Sequence, residues 1–273
     1  MKKKASYDFL CDWIRVFAAF GESYHNFVRS WSADETTRNV TCDGEDEEYR
    51  RGMGIRLVDV IWLGHACFLL RSDTKSLIFD PFKGTGLPEP KLKADIVLCS
   101  HSHSDHNNVA AVKHEKSAVL EKFAGTKQID GVSVKGIATF HDDAEGGKRG
   151  RNSVYVVELE GVRFCHLGDL GHELTPSEQN EIGSVDVLLI PIGGFFTIGP
   201  QQARNVMKSL KPKITVPMHY NAPGMSITFR VLKKVEDFLS KDDTVKKLDG
   251  SSFTINKTDL PEKEIVIVPK LIH

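Results

Sequence analysis

The decapeptide CSHSHSDHNN, from Cys99 to Asn108, places three histidines and an aspartate within six positions, directly after the apolar run ADIVL. ADIVLCS reads as a strand buried on both faces, because its apolar residues are nearly continuous instead of alternating. Ionisable side chains at the end of a core strand destabilise a fold unless a partner compensates them. A multivalent cation is the obvious partner. In extended backbone His101 and His103 point to the same side and can share one ion. A turn at Asp105 and His106 lets that adjacent pair diverge from them and serve a second ion, and Ser102 and Ser104 are small enough for the loop to fold tightly.

The surrounding chain is rich in short strands. RLVDVIWLG, ACFLLRS and SLIFDPF follow one another with turn residues between them, and GVSVKGIATFH, NSVYVVELEG and VRFCHLGD alternate in the same way. The second half partly echoes the first, since SVDVLLIPIGG matches KADIVLCSHSH as a buried strand entering a loop. Helical spacing predicts one helix on Ala203, Val206, Met207 and Leu210, and another on Val231, Leu232, Val235, Phe238 and Leu239. NNVAAVK is expected to start a helix capped by Asn107 or Asn108. Two strand-rich halves with interspersed helices imply an α/β (α+β) architecture of two packed sheets covered by helices.

HSHSDH resembles the signature of the metallo-β-lactamase superfamily, and four further motifs stand in that family's order: LIFDPF with Asp80, ATFHDD with His141, CHLGDLG with Asp169, and VPMHYN with His219. WLGHACF, FDPF, GD and PMHY are most similar to the branch of ascorbate-phosphate lactonase-like and N-acyl-phosphatidylethanolamine phospholipase D-like proteins. The resemblance spans residues 55–273 and implies a four-layer αββα sandwich of two mixed sheets with helices outside. It implies that His101, His103 and His141 hold one metal, that Asp105, His106 and His219 hold another, and that Asp169 bridges them. Asp105 would also orient the attacking water as the catalytic residue, and Asp80 would sit near the site but off the metal. Nitrogen and carboxylate ligands without thiolates suit two divalent ions, zinc foremost, with manganese or iron as credible occupants. Water bound to such an ion has its pKa lowered toward ~7, which supplies a nucleophile at neutral pH.

Other residues keep two readings open. His65, in GHA between two strands, either lines the site or is a satisfied loop histidine. His166 is expected to be packed beside the site, and His172 either contacts substrate or is exposed. In IGGFFTIGP, Phe195 and Phe196 belong to a flap over the substrate cleft or to the core. GGKRGRN offers Lys148, Arg149 and Arg151 as a grip for a phosphate or carboxylate, or as a solvated basic turn.

A formal net charge of -1 gives no basic field, so nucleic acid is not an expected partner and a small molecule is. The five cysteines form no CxxC pair, which fits a reducing cytoplasm. No apolar run reaches the roughly 20 residues that span a bilayer, and Asp8, Asp12 and Arg15 interrupt any signal-peptide core. Residues 1–54 read as an extension: an amphipathic helix on Leu10, Trp13, Ile14 and Phe17, then a polar linker over Ser32–Arg51. That helix packs on the main domain or lies on a membrane surface, and a start of translation at Met53 is a third possibility. The expected activity is a metal-dependent hydrolase acting on a lactone, phosphodiester or related ester or amide. A nuclease and a mononuclear iron oxidoreductase of the same superfamily are the rivals. A homo-oligomer is compatible with the sequence.

Overall fold

A computed structural model describes residues 54–271. The N-terminal helix, the polar linker and the alternative start at Met53 lie outside the described residues. The first sheet contains β1 (Val58–Gly64), β2 (Cys67–Arg71), β3 (Ser76–Phe79), β4 (Ala94–Cys99), β5 (Lys113–Glu121) and β13 (Ser252–Ile255), in the order β13-β1-β2-β3-β4-β5. The second contains β6 (Gly125–Ile129), β7 (Val132–Phe140), β8 (Arg151–Leu159), β9 (Val162–His166), β10 (Val187–Pro191), β11 (Ile214–Met218), β12 (Val245–Lys247) and β14 (Ile265–Val268), in the order β12-β14-β11-β10-β9-β8-β7-β6. Both sheets are mixed, with antiparallel hairpins such as β1–β2 and β7–β8 leading into parallel pairs such as β3–β4 and β10–β11. This is the two-sheet sandwich the motifs implied.

One continuous apolar core joins the sheets, with Phe68, Phe79, Phe164, Leu98 and Leu189 among its fully buried members. Polar ties stitch them at one end. The Tyr155 hydroxyl of β8 reaches the Cys99 carbonyl of β4 at 3.0 Å, and the Ser153 N–H donates to the Ser100 carbonyl at 2.9 Å. β1, β3 and β4 run in one direction in the first sheet, as do β7, β9, β10 and β11 in the second. The loops leaving the carboxyl ends of these strands are where open sheets of this kind place their ligand sites.

Three α-helices stand among the described residues: α1 (Val109–Val112), α2 (Pro176–Ile182) and α3 (Pro200–Leu210). In α3 the buried residues are Ala203, Val206, Met207 and Leu210, the stripe expected from spacing. α2 begins with a capping box: Thr175 Oγ1 accepts from the Glu178 N–H, and Glu178 Oε2 accepts from the Thr175 N–H at 2.7 Å. α1 is a single turn, and Asn108 makes no side-chain cap there, because its amide is spent on the Phe82 carbonyl and Glu89.

The second helix expected, on Val231–Leu239, does not form. The segment holds two 3₁₀ turns, Ile227–Val231 and Val235–Asp237. Buried Phe229, Leu232, Val235 and Phe238 recur every three residues, the period of a 3₁₀ turn and not of an α-helix, while Val231 is 47% exposed. Between the turns the backbone pairs sideways, with Lys233 N–H donating to the Gly193 carbonyl and Asn221 N–H to the Lys233 carbonyl.

Candidate metal centre

Every candidate ligand leaves the end of a strand. His65 follows β1, Asp80 follows β3, His101, His103, Asp105 and His106 follow β4, His141 follows β7, Asp169 follows β9 and His219 follows β11. His65, Asp80 and His219 hold left-handed backbone, at φ of +53°, +43° and +51°. Such conformations cost of order 1–3 kcal/mol in non-glycine residues and persist where surroundings over-determine them. At His65 the clamp is visible: its carbonyl accepts from the Trp62 indole N–H and from the His219 N–H, each at 3.1 Å.

Behind the ligands lies a hydrogen-bonded support. Asp80, fully buried, accepts from the Ser100 N–H at 2.7 Å and the Ser100 hydroxyl at 2.6 Å, and from His106 Nδ1–H at 2.9 Å. Ser100 Oγ in turn lies 2.9 Å from His101 Nδ1. With its proton committed to Asp80, that hydroxyl accepts from His101, so both rings carry their protons on Nδ1. Their Nε2 lone pairs then face the centre, the arrangement a metal-ligating histidine needs. His166, stacked on Phe79, donates from Nε2 to the Ala66 carbonyl at 2.8 Å and accepts at Nδ1 from the Gly168 N–H at 3.1 Å. It therefore ties the loop after His65 to the loop before Asp169, the packed role expected of it.

Asp169 is the hub. Its Oδ2 lies 3.2 Å from Nε2 of His106, of His141 and of His219, and 3.9 Å from Nε2 of His101. His101, His103 and His141 form one group whose donor atoms lie within 4.8 Å of one another, and His65, Asp105, His106 and His219 form a second. Asp80 can be grouped with His101 and His106 by distance alone, but its oxygens are taken by Ser100 and His106, which makes it an orienting residue.

The electrostatics ask for cations. Burial opposes the charge on Asp169, but His106, His219 and His141 outweigh it and hold the carboxyl well below the usual range. Burial likewise opposes a charge on His106, yet Asp169 and Asp80 draw a proton onto it and raise its pKa well above the ordinary value. His65 and His101 go the other way, to about 3, through burial and the neighbouring His219 and His106 respectively. Neutral imidazoles beside ionised carboxylates are the donor set of a divalent ion, which would take the place of the proton His106 otherwise carries. Buried atoms without a protein partner include His101 Nε2 and Asp169 Oδ1. Donors about 2.0–2.1 Å from a tetrahedral ion lie about 3.3 Å apart, and the 3.2 Å spacings around Asp169 match that figure. The residues fit a metal centre.

A family model described as a beta-lactamase superfamily domain matches residues 59–219. The chain belongs to the metallo-β-lactamase superfamily. It is 32% identical to a UPF0173 metal-dependent hydrolase of Archaeoglobus fulgidus over 237 residues, 72% of this chain and 99% of the relative. Among solved structures it resembles one from Thermotoga maritima, named as a Zn-dependent hydrolase of the superfamily, with 38% identity, a TM-score of 0.66, and coverage of 79% of this chain and all of that one. A diiron β-hydroxylase of Streptomyces venezuelae shares the fold at 14% identity and a TM-score of 0.51, over 67% of this chain and 48% of that one.

Within this metallo-β-lactamase fold the sequence reading missed three supports. Asn152 accepts from the Asp169 N–H at 2.9 Å and donates to the Leu167 carbonyl and Thr139; its only sequence signal is a polar residue entering a buried strand. Ser100 was hidden as one more small loop residue. Asp142 accepts four backbone N–H bonds, from Ala144, Gly146, Lys148 and Arg149, at 2.6–2.9 Å, and so shapes the basic loop. Gly168 and Gly171 are needed for close approach, since a Cβ would sit 2.4 Å from Asn152 Oδ1 and 2.1 Å from the Asp142 nitrogen.

Of the suggested substrate residues, Arg149 and Phe196 meet, with the guanidinium 5.8 Å from the ring centroid. Phe195 packs edge-on against Phe196 and is 64% exposed, so it is not a core residue. The loop carrying both is joined to the Asp169 loop by Ile198 N–H donating to the Leu170 carbonyl. Lys148 pairs with Asp143 at 2.7 Å, and Arg151 is exposed where β8 begins. His172 accepts from the Phe140 N–H at 3.3 Å and faces Glu178 at 3.7 Å, a tie between loops.

Proposed function

We propose that this metal-dependent hydrolase of the metallo-β-lactamase superfamily holds two divalent cations, zinc by preference, and hydrolyses a small lactone, phosphodiester or related ester. The observation that carries the reading is Asp169 Oδ2, placed 3.2 Å from His141 of one group and from His106 and His219 of the other. A single carboxylate so placed can bridge two ions and offset their repulsion. When bound, such ions supply Lewis acidity and lower the pKa of coordinated water toward ~7.

His101, His103 and His141 would hold one ion, and Asp105, His106 and His219 the other. Burial opposes the charge on Asp105, but His65 and His106 face it and keep it ionised, so it can orient a water beside the scissile bond. His103 is exposed while His101 and His106 are buried, which leaves the approach to substrate on the His103 side. The Arg149–Phe196 pair offers an anionic or aromatic group of the substrate a place on the rim.

Cys67, Cys99 and Cys165 are buried and unpaired, which supports a reducing, cytoplasmic setting. Among the described residues no helix is long and apolar enough to cross a membrane. The test is a panel of chromogenic lactones, phosphodiesters and carboxylic esters assayed with the zinc-loaded, manganese-loaded and apo chain. Turnover of at least one class that vanishes in the apo chain supports the reading; none with any metal would remove it.

A further inference from the structure

We propose that His65 is itself a ligand of the second cation, so that three imidazoles face each ion across Asp169. The inference rests on the dinuclear reading above and adds a residue that lies outside the HSHSDH string and the other metal motifs. His65 Nε2 lies 3.2 Å from His106 Nε2 and 3.3 Å from Asp105 Oδ2. Its ring centroid is 4.1 Å from that of His219, and the residue is fully buried.

The distances decide between two roles. A histidine N–H donating to a carboxylate in a charge-assisted hydrogen bond closes to about 2.7–2.9 Å, as His106 Nδ1 does to Asp80 at 2.9 Å. His65 stands off Asp105 at 3.3 Å, the separation of two donors on one tetrahedral zinc, about 3.3 Å. Its 3.2 Å approach to His106 Nε2 is the same donor–donor separation. The unpartnered atom tells the same story. Nδ1 of His65 is buried with no partner, and so is Nδ1 of His141 and of His219, each of which turns Nε2 to the centre. His65 shares the pose of the expected ligands. Its left-handed backbone, pinned by Trp62 and His219, aims the ring there at an energetic cost that a loop histidine of no consequence would not carry.

The experiment uses the full chain stripped of metal and titrated with Co²⁺ alone. Each imidazole that ligates Co²⁺ gives a strongly shifted, exchangeable ring N–H proton signal that disappears in D₂O. With two equivalents bound, six such signals are expected from the unaltered chain. His65→Gln should lose one, and its second equivalent should bind at least about tenfold more weakly, while the first binds as before. Two bound ions with five signals in both proteins would overturn the role of His65 and leave the dinuclear reading standing. Failure to bind a second Co²⁺ in the unaltered chain would overturn both.

Discussion

In the candidate ligand loop, Ser100 and Asp80 set which nitrogen His101 and His106 present to the centre. Ser100→Ala removes the acceptor of His101 Nδ1–H and one donor to Asp80. Metal affinity is expected to fall by about 10–100-fold, measurable by competition with a chromogenic chelator, without loss of the fold. Asp105→Asn keeps the shape but removes the charge, and turnover should fall by about 10²-fold or more if Asp105 orients the attacking water; unchanged kcat would remove it from the chemistry. The candidate ligands stood out in the sequence through the family motifs they resemble, each a histidine or aspartate that follows an apolar strand. Ser100, Asn152 and Asp142 were not, because neutral or turn-like polar residues gain a role only from what folding brings beside them. Asn152 reaches Asp169 across 17 positions and two strands.

At the scale of elements, strands were easier to read than helices. Alternation marks a half-buried strand wherever it falls, and α3 was equally plain because four apolar residues lie on one face. The stripe on Val231–Leu239 also satisfied helical spacing, yet Phe229, just ahead of it, packs its ring 5.0 Å from that of His65 and sets a three-residue rhythm instead. α3 is anchored by Arg204, whose guanidinium makes two bonds to Asp243, at 2.8 and 3.0 Å. The Arg204 bonds hold the Asp243 carboxyl below its ordinary pKa. A depressed carboxyl stabilises the fold above its unfolded pKa of ~3.9, and that stability is lost as pH falls through the lower folded value. Asp243→Asn is therefore expected to cost ~1 kcal/mol at pH 7, a drop of about 2–4 °C in Tm. The gap from the unaltered protein should shrink below about pH 4, and a gap independent of pH would show that the charge is not responsible.

Residues 54–271 form a two-sheet sandwich whose strand ends deliver candidate ligands from both sheets to one point, so the centre doubles as a seam. No candidate ligand lies in residues 1–52, and a chain shortened to begin at Met53 is expected to fold and bind metal; a soluble short form that binds none would tie the N-terminal segment to the core. The sandwich could be read from the two strand-rich halves and from the family that HSHSDH and its companion motifs resemble. The pairing of β13 beside β1 could not, since a short C-terminal strand carries no mark of its distant neighbour. All of this turns on two ions sharing Asp169. The direct measurement is elemental analysis of the purified full chain, with activity followed as metal is removed and returned stepwise. A dinuclear centre requires two divalent ions per chain and loss of activity on chelation, with recovery only as the second equivalent is restored. Full activity with one tightly bound ion would contradict it.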